Sequence, residues 1–106
     1  PPAPFADREW IQAITTPDAL QSETEAMMHC VASYSERIYN GRYAVYQVLA
    51  PERLTLGLKI RDGRVSFDQL RGVANQPPSA AAQITVERWL HACLEASLQE
   101  KVSAGG

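Results

Sequence analysis

The stretch Leu54-Thr55-Leu56-Gly57-Leu58-Lys59-Ile60-Arg61-Asp62-Gly63-Arg64-Val65-Ser66-Phe67-Asp68-Gln69-Leu70-Arg71 decides the fold. Its first half alternates with a period of two. Leu54, Leu56, Leu58 and Ile60 fall on one face, and Arg53, Thr55, Gly57 and Lys59 on the other, the pattern of a half-buried strand. Asp62-Gly63 is a two-residue hairpin signal, and Val65 to Leu70 is the returning strand. A regular turn there sets the register: Ile60 opposite Val65, Leu58 opposite Phe67, Leu56 opposite Gln69, and Leu54 opposite Arg71. Gln69 and Arg71 then share the leucine face, at the end of the sheet away from the turn. Left bare they would cost on the order of 1–3 kcal/mol or more each. A polar network or an open pocket is expected at that end; the plainer version has them bonded to loop carbonyls and helix ends.

Toward the N-terminus, Tyr43 to Leu49 reads as a preceding strand, joined through the turn at Ala50-Pro51-Glu52. Trp10, Ile11 and Ile14 predict a short amphipathic helix over Asp7 to Ile14. Thr16-Pro17-Asp18 reads as a second helix start. Ser22-Glu23-Thr24-Glu25 fits a capping box, opening a helix that buries Met27, Val31, Tyr34 and Ile38 and stops at Asn40-Gly41. Toward the C-terminus, a Pro-rich loop from Asn75 ends in the N-cap Ser79. A helix from Ala80 to about Lys101 follows, burying Val86, Trp89, Leu90, Cys93 and Leu94. The expected architecture is α+β: N-terminal helices, a three-stranded antiparallel meander, and a C-terminal helix packed on one sheet face, with the longer helices sharing that face. Residues 1–6 are expected to be flexible and 103–106 to form a frayed tail.

A chain of 106 residues is expected to form one domain over residues 1–106. Its 45% hydrophobic and 21% charged content is that of a globular protein. The net charge of −2 argues against a generic polyanion binder but leaves room for a local basic patch. The two cysteines, Cys30 and Cys93, read as buried free thiols in a reducing compartment, so a cytoplasmic setting is expected. No apolar run is long enough to cross a bilayer, and no signal peptide is evident. The opening Pro1-Pro2-Ala3-Pro4, without an initiator methionine, reads as a processed chain or a domain of a longer protein.

Leu20, Glu23, Met27 and His29-Cys30-Val31, followed by Gln69, Gly72 and Asn75, fall at the spacing of the PcfJ-like family. The chain resembles that family from about Trp10 to Leu90, with Thr24 where the family usually has glycine. The resemblance implies a protein of conjugative plasmids, phages or related mobile elements, and it implies no particular activity.

His29 is the natural general base, because imidazole titrates near neutrality; its plainer role is capping or packing. Cys30 is its sequence neighbour, and adjacent helical side chains diverge, so the pair cannot activate itself. His29, Cys30, His91 and Cys93 have poor spacing for a zinc ion; no metal or cofactor is expected. Glu23, Glu25 and Glu36 read as caps and solvated helix surface. Arg53, Lys59, Arg61 and Arg64 form a cationic strand face able to meet phosphates, diluted by Asp62 and Asp68. The first functional expectation is a recognition module binding nucleic acid or a protein partner, with oligomeric state open. The second is an enzyme, hydrolytic or acting on nucleic acid, using His29 beside Gln69, Arg71 and Asn75. The latter needs those side chains to converge in one cleft.

Overall fold

The computed structural model describes residues 2–28 and 35–105, with side chains described as far as residue 100. In chain order the elements are β1 (Ile11–Ile14), α1 (Pro17–Met27), α2 (Ser35–Tyr39), β2 (Tyr43–Val48), β3 (Leu54–Arg61), β4 (Arg64–Arg71), a 3-10 turn (Val73–Asn75) and α3 (Ala80–Gly105). The strands form an antiparallel sheet in the order β1-β2-β3-β4. The α+β class and the C-terminal helix stand as expected.

The sheet has four strands where three were expected. The extra one is β1, in the segment whose Trp10, Ile11 and Ile14 suggested a helix. Ile11 pairs with Val48 and Ile14 with Val45. Both isoleucines are buried, in different clusters on opposite sides of the sheet. A strand covered on both faces loses its alternation, and a short one cannot be told from a helical turn by spacing.

The helices also divide differently from expectation. α3 lays Ala82, Val86, Trp89 and Leu90 on the face formed by Leu54, Leu56, Leu58, Tyr46, Val48 and Leu70. α1 and α2 cover the other face, where Leu20 and Ile38 meet Ile14, Tyr43 and Val45. The sheet is the middle of three layers, and its second face is not simply a solvated one. Leu94, expected in the core, is 37% exposed. α3 runs to Gly105, through the residues expected to be a tail.

Thr16 caps α1, its Oγ1 accepting from the Ala19 N–H at 3.1 Å, with Pro17 at the first position. The expected restart at Ser22 does not occur. α1 runs through it and ends where Met28 takes the left-handed conformation, φ 54°. Residues 29–34, with Cys30, Val31 and Tyr34, lie outside the described residues. α2 closes as expected at Asn40-Gly41: the Gly41 N–H bonds Ile38 O and the Arg42 N–H bonds Arg37 O, the paired bonds of a Schellman stop. Ser79 caps α3 by accepting from the Ala82 N–H at 3.1 Å.

The hairpin turn is the two-residue loop expected, with Asp62 at φ 54° and Gly63 at φ 75°. Ile60 faces Val65 and Leu58 faces Phe67. Beyond that the register slips at a bulge: Gly57 faces Gln69, Leu56 faces Leu70 and Thr55 faces Arg71. Asp68 is the additional residue. The slip corrects the expected placement of Gln69 and Arg71, which turn to the α1 side. Leu70 takes the core position and is 1% exposed. Burying a leucine instead of an amide gains about 2 kcal/mol of transfer free energy and avoids an orphaned polar group.

The N-terminal arm meets the sheet at Phe5. The Tyr46 hydroxyl accepts from the Phe5 N–H at 2.9 Å and donates to Phe5 O at 2.7 Å. Phe5 stands edge-on to Trp89, ring centroids 5.8 Å apart. Burial pushes the Tyr46 pKa up to about 12, against the smaller lowering effect of its Phe5 bond. The neutral hydroxyl is therefore favoured by folding. That stabilisation is complete below the ordinary value of 10.0 and disappears as pH rises through the folded value.

Two outcomes follow for stability, read by urea unfolding. Tyr46→Phe orphans the Phe5 peptide groups and should cost on the order of 1–3 kcal/mol. It should also flatten the loss of stability of the wild type between about pH 10 and 12. Gly57→Ala should cost about 1–3 kcal/mol through overpacking, because a Cβ there would lie 2.0 Å from Tyr43 Oη. An unchanged midpoint in either variant would contradict this packing.

Candidate functional site

The α1 side of the sheet holds the buried polar residues Glu23 and Thr55. Leu20, Glu23 and Met27 are the buried residues of α1, a spacing of three and four that marks one helix face. Glu23 is 2% exposed. One of its oxygens accepts from Arg53 Nη2; the other accepts from Arg53 Nη1, at 3.0 Å, and from Thr55 Oγ1. Arg53 also donates to Leu54 O at 2.9 Å, and the neighbouring Gln47 donates to Gln12 at 2.9 Å. The guanidinium fork matches the carboxylate in two parallel bonds. With both oxygens engaged, the pair fastens α1 to the start of β3. This corrects two expectations: Glu23 is not helix surface, and Arg53 is not a free cation.

A second group sits at the bulge. Tyr43 lies across Gly57, and its hydroxyl donates to Asp68 Oδ2 at 2.6 Å. Lys59 Nζ is 3.2 Å from Asp68 Oδ1, and the Arg37 guanidinium lies 4.8 Å from the Tyr43 ring centroid. Burial works to raise the Asp68 pKa, but hydrogen bonds from Tyr43 and Lys59, with the charges of Lys59 and Arg37, outweigh it and leave the carboxyl below its ordinary value. Folding is thus favoured by the ionised form, an advantage lost as pH falls through the lowered value.

Beyond the bulge, the tip of the β3–β4 hairpin carries Arg61 and Arg64. They are exposed and directly opposite each other. Among the described residues neither has an ion-pair partner. Like charges across a strand pair are mutually destabilising.

The expected corner of His29, Gln69, Arg71 and Asn75 is only partly visible. His29 lies outside the described residues. Gln69 is half-buried, Arg71 and Asn75 are exposed, and Arg71 donates to Leu70 O at 3.2 Å. Among the described residues no side-chain hydrogen bond joins Gln69, Arg71 and Asn75. Asn75 takes a left-handed φ of 62°, and its N–H bonds Gly72 O at 3.1 Å. The 3-10 turn that contains it lies beside α1. His91 is exposed and 3.3 Å from Glu95, whereas Cys93 is partly buried as a free thiol. Among the described residues no three His, Cys, Asp or Glu side chains gather as a metal site. No helix there is long and apolar enough to cross a membrane.

These features define a helix-flanked antiparallel meander, pinned by a part-buried ion pair and open at one hairpin tip. The family model for PcfJ-like proteins matches residues 4–86, and the chain belongs to that family. No curated protein and no solved structure matches it. Leu20, Glu23 and Met27 are the inward face of α1. The sequence signal that could have exposed Glu23 was this spacing: an acid between two apolar residues on a single stripe.

Glu23→Ala leaves Arg53 and Thr55 without their acceptor and should destabilise the fold by on the order of 3 kcal/mol. Replacing the pair by Glu23→Leu with Arg53→Met should restore most of that loss, since an apolar pair replaces a part-buried ionic one at little cost. Chemical denaturation of the three variants checks this; a double variant as unstable as Glu23→Ala would refute it.

Proposed function

We propose that this chain is a recognition module of a mobile-element protein, and that it binds nucleic acid through the open tip of the β3–β4 hairpin. The observation that carries the reading is the facing pair Arg61 and Arg64, exposed and without carboxylate partners among the described residues. A phosphate between them would relieve their mutual repulsion and supply the acceptor both lack. Lys59 stands on the same face but shares its charge with Asp68. The cationic surface is therefore smaller than the four residues on that face suggest, since Arg53 belongs to Glu23. A protein partner fits this surface less well, because the tip offers charge with little apolar area. The mobile-element setting is supported by family membership.

Binding through so few cations is weak and strongly dependent on salt. In fluorescence anisotropy with a labelled short DNA duplex, whose bases are paired and stacked so that only phosphates are on offer, the log–log salt slope should be about −2, one unit for each arginine. Arg61→Glu with Arg64→Glu should abolish the binding while leaving the unfolding midpoint unchanged. Tight binding that persists at high salt, or binding that survives the double substitution, would refute the proposal.

A further inference from the structure

On the opposite side of the sheet, the N-terminal arm and α3 enclose an open groove of about 580 Å³. Its lining includes Arg8, Trp10, Arg88, Trp89 and Cys93. The volume lies within the range of small-ligand sites. The walls are built with care for position. The Arg8 N–H bonds Ile11 O at 2.8 Å and the Ile11 N–H bonds Arg8 O at 3.2 Å, closing a tight turn that sets Arg8 and Trp10. Trp10 O accepts from the Leu49 N–H at 2.7 Å, and the Asp7 carboxylate accepts from the Ala13 N–H at 2.8 Å. Trp89 is 7% exposed and is wedged edge-on among Phe5, Trp10 and Tyr46. Trp10 is the more open ring. On the helix side, Ala92 and Ala96 leave the groove unfilled. Arg8 and Arg88 are exposed at its edge, and among the described residues neither pairs with an acid.

We propose that this groove binds an aromatic base carrying a phosphate, the base against Trp10 and the phosphate between Arg8 and Arg88. An indole face stacks on any base, and two unpaired guanidinium groups beside it match a phosphate rather than a neutral aromatic. Neither partner alone fits both halves of the groove. The site is separate from the hairpin tip and does not rest on it.

The test is quenching of tryptophan emission by adenosine 5′-monophosphate and, separately, by a short oligothymidylate, with inorganic phosphate at equal ionic strength as the control. Saturable quenching by the nucleotide, absent with phosphate, is expected. Equal affinity for both probes identifies a free-nucleotide site, and tighter oligothymidylate binding identifies a single-strand site; either supports the groove. Trp10→Leu should weaken binding about tenfold or more. Arg8→Ala with Arg88→Ala should do the same, and these surface changes leave the fold intact if Trp10→Leu does not. Bound nucleotide should also slow alkylation at Cys93, read by peptide mapping. Arg61→Glu with Arg64→Glu should leave the groove's affinity unchanged. The proposal is overturned by an absence of saturable quenching with both probes at millimolar concentration, or by binding indifferent to the Arg8 and Arg88 substitutions.

Discussion

A single additional residue in β4 organises much of this molecule. With Asp68 looped into the strand pair, Leu70 rather than Gln69 faces Leu56, so the leucine face stays apolar beneath α3. A slip of one residue reverses every side chain beyond it, and here it does so at the point where the apolar pattern of β4 itself skips. The looped residue is not idle. Its carboxylate receives Tyr43 and Lys59, and Tyr43 in turn occupies the space above Gly57 that a side chain would fill. Bulge, tyrosine and glycine form one unit, each explaining the presence of the others.

On the same face, the Glu23–Arg53 pair solves a different problem. α1 is short and weakly apolar, with two buried hydrophobic side chains, Leu20 and Met27. Few apolar contacts fix a helix loosely against a sheet, since dispersion and transfer terms are not directional. A bidentate ion pair with a threonine as third partner is directional, and it selects one rotation and one axial position for α1. Its net contribution to stability is modest, because desolvation offsets much of the attraction. Its contribution to position is larger. The spacing of Leu20, Glu23 and Met27 is intelligible as two apolar contacts bracketing one geometric lock.

How much of this was legible depended on whether a signal was local. The Asp62-Gly63 turn, the caps at Thr16 and Ser79, and the stop at Gly41 are written in adjacent residues and were read correctly. The bulge was also written locally: Val65 and Phe67 keep the period of two, and the next apolar residue is Leu70 instead of position 69. Assuming an unbroken ladder hid it. The strand at Ile11 was not recoverable from spacing, because burial on both faces removes alternation and four residues are too few to show a period. The role of Glu23 required its partners, Arg53 and Thr55, about thirty residues away in sequence, and an acid in a helix reads as surface until such a partner is known.

The three-layer arrangement also decides where binding can occur. α3 covers one face of the sheet and α1 with α2 covers most of the other, so side chains beneath them serve the core or the locks. Among the described residues, exposed arginines without an ion-pair partner stand in twos at the hairpin tip (Arg61, Arg64) and at the edge of the groove between the N-terminal arm and α3 (Arg8, Arg88), and singly at Arg42 and Arg71. In a chain of net charge −2, that segregation matters more than the total. On the proposed reading, acids elsewhere on the surface disfavour a polyanion, and the paired arginines hold it at the tip in spite of Asp62 between them. A neutral-to-acidic chain can therefore direct a nucleic acid to a small area more selectively than a uniformly basic one, at the expense of affinity and with strong sensitivity to salt.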